Sequence, residues 1–328
     1  MKALVTGGGG FLGLAIVRKL RARGDQVRSF SRGTYPALER LGAESLRGDI
    51  ADKAAVLRAA GDCDIVFHVA AKAGVWGSTE SYHRTNVVGT DNVLTACSAE
   101  GIKRLVYTST PSVTFAGTDQ IGVDESAPYA ERYLSDYPRT KAIAEQRVLE
   151  SNGSDLATVA LRPHLIWGPG DPHLVPRILE RRRSGSLRLL GNRPNAVDSV
   201  YVDNAADAHV LAADRLEPGS AVAGKAYFIS QGEPLPLADL MNRILAAGGL
   251  PPVERRIPTG FAIFLGALLE TGYELLGIEN EPPLTRFVAL QLSTAHWFDI
   301  SAARRDLGYE PAVSLDEGME RLAASLRG

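Results

Sequence analysis

A doubly wound parallel α/β sheet, with a smaller, mostly helical lobe in the C-terminal half, is the fold this sequence predicts. Three observations predict it. The chain opens on an apolar run, "KALVT", that meets four consecutive glycines and then a stretch with helical spacing. Short apolar runs alternate with helical ones through the first half, the pattern of strand–helix–strand units in a parallel sheet. Past about residue 163 this alternation gives way to clusters of glycine, proline and arginine.

The first unit is the most specific. "KALVT" reads as a buried strand, and from Phe11 to Arg23 the residues Phe11, Leu12, Ala15, Ile16, Lys19 and Leu20 fall at helical spacing. Between them Gly7, Gly10 and Gly13 spell TGxxGxxG, a turn that brings a pyrophosphate against main-chain N–H groups at the positive end of the helix. The next strand, "QVRSF", ends at Ser31 and Arg32, and no carboxylate follows before Glu39. An acidic residue there would select NAD through the ribose 2′-OH, whereas a guanidinium pairs with a 2′-phosphate. NADP(H) is therefore the expected cofactor, held by Ser31 and Arg32; the alternative is that Arg28 and Arg32 are solvated surface cations. Further strands are expected at "AESLRG", "DIVFHVA" and "KRLVYTS", with helices over Asp52 to Ala60 and Thr85 to Ala99.

"KRLVYTS" runs into the hydroxyls Thr108, Ser109, Thr110 and Ser112, at the carboxyl edge where ligands of such sheets bind. Tyr137 and Lys141 follow four residues apart, so they share one helix face. A phenol at its ordinary pKa of about 10 is a slow proton donor near neutrality, and a neighbouring ammonium should lower it.

Composition narrows the class. With 328 residues, 45% hydrophobic and 23% charged, the chain can bury a sizeable core. A formal net charge of -2 argues against nucleic acid as a partner. Cys63 and Cys97 form no CxxC, so plain core thiols are expected, with no metal site or disulfide. The first strand leaves no room for a leader pattern, and a cytoplasmic homo-oligomer is expected.

Together TGxxGxxG, "GDIAD" at 48–52, "HVAAKAG" at 68–74, "NVVGT" at 86–90, "YTST", YxxxK, "LRPHLIWGPGD" at 161–171 and "VYVDNAADAHVLA" at 200–212 resemble an extended short-chain dehydrogenase/reductase. The branch they resemble is the 3β-hydroxysteroid dehydrogenase-like one. The resemblance implies a Rossmann fold, oxidoreduction of a CH–OH/ketone pair, and a catalytic group of Thr110, Tyr137 and Lys141, with Ser109 as the fallback hydroxyl. It also implies that Lys141 reaches the nicotinamide ribose, that Asp49 and Ile50 flank the adenine, and that Ala70 and Ala71 pass beside ribose and phosphates. Pro163 would start the loop around the nicotinamide, and Asn86 would support the site. His68 and His164 lack a partner carboxylate at useful spacing and read as packed histidines.

The division expected is a cofactor-binding domain over 1–162, rejoined by about 197–230, and a discontinuous substrate lobe over 163–328. "ERRRSG" at 180–185 reads as a solvated helix end, with contact to an acidic substrate or partner as the alternative. The run 257–269 carries no charge and is too short for a bilayer, which takes about 20 residues. A buried helix, a lid over a greasy pocket and a segment lying on a membrane surface all remain open for it. With "EPPLTRFVALQLSTAHWFD" after it, the region 257–291 is expected to form much of an apolar pocket, which suits a lipid-like ketone better than a sugar nucleotide.

Within the branch, "TGGGGFLG", "AAKAGVWGS", "YTSTPSVTF", "TKAIAEQRVL" and "EPPLTRF" are similar to the NADPH-dependent reductases of bacterial long-chain olefin biosynthesis. That implies a long two-tailed β-keto acid substrate, lipid metabolism, and partner enzymes that act before and after it in the olefin pathway. Arg162, Arg177 and Arg286 are candidates to meet the substrate carboxylate. A hydroxysteroid dehydrogenase, a sugar-nucleotide epimerase or dehydratase, and a cofactor-sensing module are the alternatives; retention of Tyr137 and Lys141 argues against the last.

Overall fold

The computed structural model describes residues 1–327. The first half runs β1 (Lys2–Thr6), α1 (Phe11–Ala22), β2 (Gln26–Ser31), α2 (Pro36–Arg40), β3 (Glu44–Arg47), α3 (Lys53–Ala60), β4 (Ile65–His68), α4 (Thr79–Tyr82), α5 (Gly89–Glu100), β5 (Arg104–Thr108), β6 (Gln120–Val123), α6 (Asp136–Glu150) and β7 (Ala157–Pro163). The second half continues with β8 (Ile166–Trp167), α7 (Leu174–Arg183), β9 (Leu189–Leu190), β10 (Ala196–Val197), β11 (Val200–Tyr201), α8 (Val202–Arg215) and β12 (Lys225–Ile229). It ends with β13 (Leu235–Pro236), α9 (Leu237–Ala247), β14 (Arg256–Ile257), α10 (Thr259–Leu275), α11 (Arg286–Ser293), β15 (His296–Phe298) and α12 (Leu315–Arg327).

Seven strands make one sheet in the order β12-β7-β5-β4-β1-β2-β3, and every pairing in it is parallel. Alternate side chains feed opposite faces, as the strand period of two requires. Ala3 and Val5 join α1 and α8 in one core, while Leu4 and Val66 join α3, α5 and α6 in the other. The order reverses between β1 and β4, so a crevice opens beyond their carboxyl ends.

Local chemistry explains several boundaries. The Asp52 carboxylate caps α3 by accepting the Ala55 N–H at 3.1 Å. Thr85 to Ala99 is helical as expected, but the helix starts earlier and opens into a wider π-type turn over His83–Val88 before α5. "VDSVYVDNAADAHVLAADRL" is expected as a strand and helix that return to the large sheet, and its strand does not do so. The strand residues Val200 and Tyr201 pair with β8, outside the large sheet, and the strand that joins it is β12, edge to edge with β7. α8 packs back on α1, because its buried alanines 205, 206, 208, 212 and 213 permit a close approach.

A second sheet, β13-β10-β15-β6, binds the halves together: β6 from the first pairs in parallel with β15 from the last. α10 and α11 pack against each other beside it. Among the described residues no helix is long and apolar enough to cross a membrane. The 257–269 run is not a buried helix: α10 buries only Ala262, Gly266 and Glu270, and leaves Phe261, Phe264 and Leu268 exposed.

Candidate active site

A cleft of about 580 Å3 lies across the carboxyl ends of the central strands. Its floor is the β1–α1 turn. Gly7 sits at φ +71° and a Cβ there would stand 2.9 Å from the Ala70 backbone, while a Cβ on Gly13 would overlap the Gly7 carbonyl oxygen. The turn is packed backbone on backbone, closed by the Gly10 N–H on Gly7 O at 2.9 Å. α1 begins with no side-chain cap and no acidic residue in its first turn, so its first N–H groups face the cleft with the positive end of the helix behind them. This is a cradle that fits the pyrophosphate of a dinucleotide. The Thr6 hydroxyl ties it to the next strand, accepting the N–H of Val69 and Ala70 at 3.2 Å and bonding His68 Nδ1 at 2.8 Å.

Gly7, Gly10, Phe11, Leu12, Gly13, Ser31, Arg32, Asp49, Ile50, Ala70, Ala71, Thr110, Tyr137, Lys141 and Pro163 all border this one cleft. At its far end the Ser31 hydroxyl accepts the Gly9 N–H at 3.3 Å, and Arg32 is exposed beside it. The Arg84 guanidinium lies 2.8 Å from Asp49, whose pKa is held below the usual carboxylate range chiefly by the Ala51 N–H. Arg28 is not a surface cation: it is buried, paired with Glu44 at 2.8 Å and bonded to the carbonyls of Ala59 and Gly61.

At the other end stand Thr110, Tyr137 and Lys141. The Lys141 ammonium is buried, donates to the Thr108 carbonyl at 2.6 Å and lies 4.1 Å from the centre of the Tyr107 ring. Burial pulls its pKa down to about 7. The Tyr137 phenol is not lowered by the lysine as expected; desolvation raises it, against a smaller opposing hydrogen bond from Thr110. Thr110 also accepts the Ser112 N–H at 3.3 Å as the cap of a short turn, and the Ser109 hydroxyl is buried without a partner among the described residues. Asn86 fixes the helix carrying the tyrosine. Its amide donates to Thr140 Oγ1 at 3.0 Å and Lys72 O at 3.1 Å, and its carbonyl accepts the Lys72 N–H at 2.7 Å.

The cleft is also bordered by Tyr35 and His173, which motif reasoning did not single out, and by Phe287 and Gln291 from the 257–291 region expected to line a pocket. Tyr35 covers Gly9, where any Cβ would strike its ring. Gln291 reaches Ser112 Oγ at 3.4 Å, and its carbonyl bonds His296 Nε2, whose Nδ1 meets His164 Nε2 at 2.8 Å. Both imidazoles are buried and their pKa values lowered by it, and His68 falls to about 3 for the same reason. For Phe287 and Gln291 the four-residue spacing, which places both on one face of α11, was a second signal beside the apolar character of the region. Most of 257–291 stays out of the cleft, since α10 meets α11 through its small residues and points its large ones elsewhere.

None of the three arginine candidates borders the cleft. Arg162 is buried against Glu145 at 2.5 Å, Arg177 pairs with Glu281 at 2.8 Å, and Arg286 with Glu270 at 2.5 Å. Each guanidinium already has its carboxylate.

A phosphate cradle at the switch point of a parallel sheet, with a hydroxyl, a tyrosine and a lysine at one end, defines a short-chain dehydrogenase/reductase of the extended type. The chain belongs to the 3-beta hydroxysteroid dehydrogenase/isomerase family, whose pattern matches residues 4–258. It is 58% identical to the 2-alkyl-3-oxoalkanoate reductase of Stenotrophomonas maltophilia, over 99% of both chains. It is 55% identical to the enzyme of that name from Shewanella oneidensis, over 99% of this chain and 86% of the other. Among solved structures, the UDP-glucose 4-epimerase of Thermus thermophilus in complex with NAD superposes with a TM-score of 0.75 at 28% identity, covering 100% of this chain and 99% of that one.

Proposed function

We propose that this protein is an NADPH-dependent reductase that converts a long-chain 2-alkyl-3-oxoalkanoate to the 2-alkyl-3-hydroxyalkanoate. The observation that carries the reading is full-length identity of 58% and 55% to two reductases of that name, in a chain whose Thr110, Tyr137 and Lys141 share a cleft with the glycine turn. Residues 1–162, with 197–230, hold the cofactor, and the rest form the substrate lobe. Ser31 and Arg32 answer the 2′-phosphate.

The cofactor supplies a hydride equivalent to the ketone carbon when bound in the cleft. Thr110 holds the ketone oxygen, and Tyr137 gives it a proton. Because burial raises the phenol's pKa, the group enters each cycle protonated at neutral pH, as a donor must. Lys141, at about 7, gains and releases a proton in the range where the phenol must be restored. Leu165, Leu174, Val75 and Phe287 give the substrate end an apolar lining, which favours alkyl chains over a nucleotide sugar. His173, exposed at the rim, is the basic side chain placed to meet the substrate carboxylate.

Purified protein and NADPH, offered 3-oxo acids of increasing length and a panel of nucleotide sugars, test this by nicotinamide absorbance. Each buried methylene contributes about 0.8 kcal/mol, so kcat/KM should climb about fourfold per carbon until the cleft is filled. Tyr137→Phe should lower turnover by about 10² to 10⁴ with NADPH still bound. Turnover of nucleotide sugars alone would end the lipid reading, and a Tyr137→Phe enzyme at full rate would end the catalytic assignment.

A further inference from the structure

Tyr137, Lys141 and Glu145 follow one another at four-residue spacing along α6 and so share one face of it. Glu145 is a carboxylate 0% exposed, and it has no part in the reaction described above. Arg162 on β7 grips it with a fork, Nε lying 3.1 Å from Oε2 and Nη2 2.5 Å from Oε1. Tyr129, in the loop before α6, donates its hydroxyl to Oε1 at 2.7 Å. The remaining nitrogen, Arg162 Nη1, is buried without a partner among the described residues. An ion pair taken this far from water, with one donor left over, is a poor way to hold a helix on a sheet, since apolar side chains of similar size would hold it as well or better. The buried charge points to another use.

That use lies one turn back along the helix. Lys141 is buried with its ammonium on the Thr108 carbonyl and over the Tyr107 ring. The other titratable groups that face this row are His68 on β4, Tyr82 on α4, Tyr107 on β5, and Tyr129 and Tyr133 in the loop before α6. Burial drives each of them toward its neutral form. Asp91 of α5 is bonded to Arg147, which lies on the other side of α6, and Arg84 of the π-type turn is bonded to Asp49. The charges in the row are thus Lys141, Glu145 and Arg162. Burial pulls the Lys141 pKa down to about 7, and Glu145 is the group that holds it up against that pull.

We propose that Glu145 is a positioning residue of the reaction: clamped by Arg162 and Tyr129, its carboxylate keeps the buried Lys141 in the ammonium form that Tyr137 needs beside it. When the phenol has given its proton to the ketone oxygen, the phenolate left behind is steadied by a neighbouring ammonium and not by a neutral amine. Arg162 holds the negative charge in place, and of the two partners it is Glu145 whose charge bears on Lys141. In the dry interior between helix and sheet, one carboxylate acts more strongly on an ammonium than it would in water. The kinetic arm of the test rests on the reduction proposed above, whereas the titration arm needs no substrate.

The test compares Glu145→Gln, which keeps the shape and removes the charge, with Glu145→Asp, which keeps the charge. Turnover of a short water-soluble 3-oxo acid at saturating NADPH is followed from about pH 5.5 to 9. In parallel the Lys141 side chain, carrying 13C at Cε and assigned by its absence from Lys141→Arg, is titrated by NMR in the protein without substrate. In Glu145→Gln the alkaline fall in turnover, and the Lys141 midpoint with it, should move down by about one pH unit. At about pH 8 that lowers kcat about tenfold, with KM held within about twofold. Glu145→Asp should keep both midpoints near the wild-type values. Because a buried guanidinium without its carboxylate destabilises a fold, Glu145→Gln is also made together with Arg162→Met, which removes both charges and should move the midpoints in the same direction. Midpoints that stay put in Glu145→Gln and in the double variant would overturn the proposal, and so would equal movement in Glu145→Asp, the mark of a merely structural carboxylate. A wild type that reduces no 3-oxo acid, but whose Lys141 midpoint still moves with Glu145→Gln, would uphold this inference and end the substrate reading.

Discussion

The glycine turn at β1–α1 and the contact between α10 and α11 use the same device with opposite results. In both, a glycine lets backbone approach backbone more closely than any Cβ would allow, Gly13 against Gly7 and Gly266 against Thr285. In the turn, the N–H groups that side chains would have hidden face inward and make a cradle. In the helix pair, close approach uses up the face on which a core helix carries its leucines, and the leucines and phenylalanines of α10 are left outside. Small residues at a contact thus decide where the large ones go.

The strongest way to break this comparison is Gly13→Ala. The new methyl would meet a carbonyl held in a tight turn, and overpacking of about 3 kcal/mol should cut NADPH affinity about a hundredfold, measured by fluorescence titration. Next comes Ser31→Asp with Arg32→Ala. Loss of a charge-assisted pair of about 1.5–3 kcal/mol should weaken NADPH about tenfold to a hundredfold and help NADH. If the ratio of the two coenzymes stays put, the 2′-phosphate is read elsewhere.

Gly266→Ala should act on the other region only. It should cost about 1–3 kcal/mol of stability through overpacking, seen as a melting temperature a few degrees lower, with NADPH affinity held within about twofold. Equal loss of cofactor binding would mean that the two regions are one cooperative unit. The smallest effect concerns the seam, where His164 meets His296. Burial lowers both pKa values, so the folded state resists protons that the unfolded chain takes up. The stability of the pair is full above the ordinary histidine value of about 6.5 and is lost as pH falls below it. His296→Gln should accordingly destabilise most at pH 8 and progressively less toward pH 5 in thermal melts. His68 and His209, buried and lowered likewise, keep the remaining acid sensitivity in place.

The cofactor half was legible because its demands are local. TGxxGxxG, the hydroxyls after "LVY" and Tyr137 four residues before Lys141 each state a geometry within one turn or one helix, and each lies where that geometry puts it. Pair contacts were not legible. Nothing near Arg162 in sequence announces Glu145, and nothing near His164 announces His296, 132 residues away. Residues 257–269 show the limit most clearly: their composition foretold an apolar helix, but which side faces inward depends on Thr285 across the contact. Tyr137 gives a similar lesson, since the lysine four residues along was visible while the burial that outweighs it was not.

The placement of β12 has a consequence for the birth of the molecule. β7 has β5 on one side as soon as residue 163 is made, but its other edge waits for Lys225–Ile229. That is roughly sixty residues of synthesis, about 3–12 s at 5–20 residues per second. During that interval the nascent chain shows an unpaired edge of "ATVALRP", a template for another strand. The polypeptide is then most vulnerable to misassembly while its nucleotide-binding half is nearly whole, and a chaperone that shields one strand edge for a few seconds would serve it better than one that encloses the finished chain.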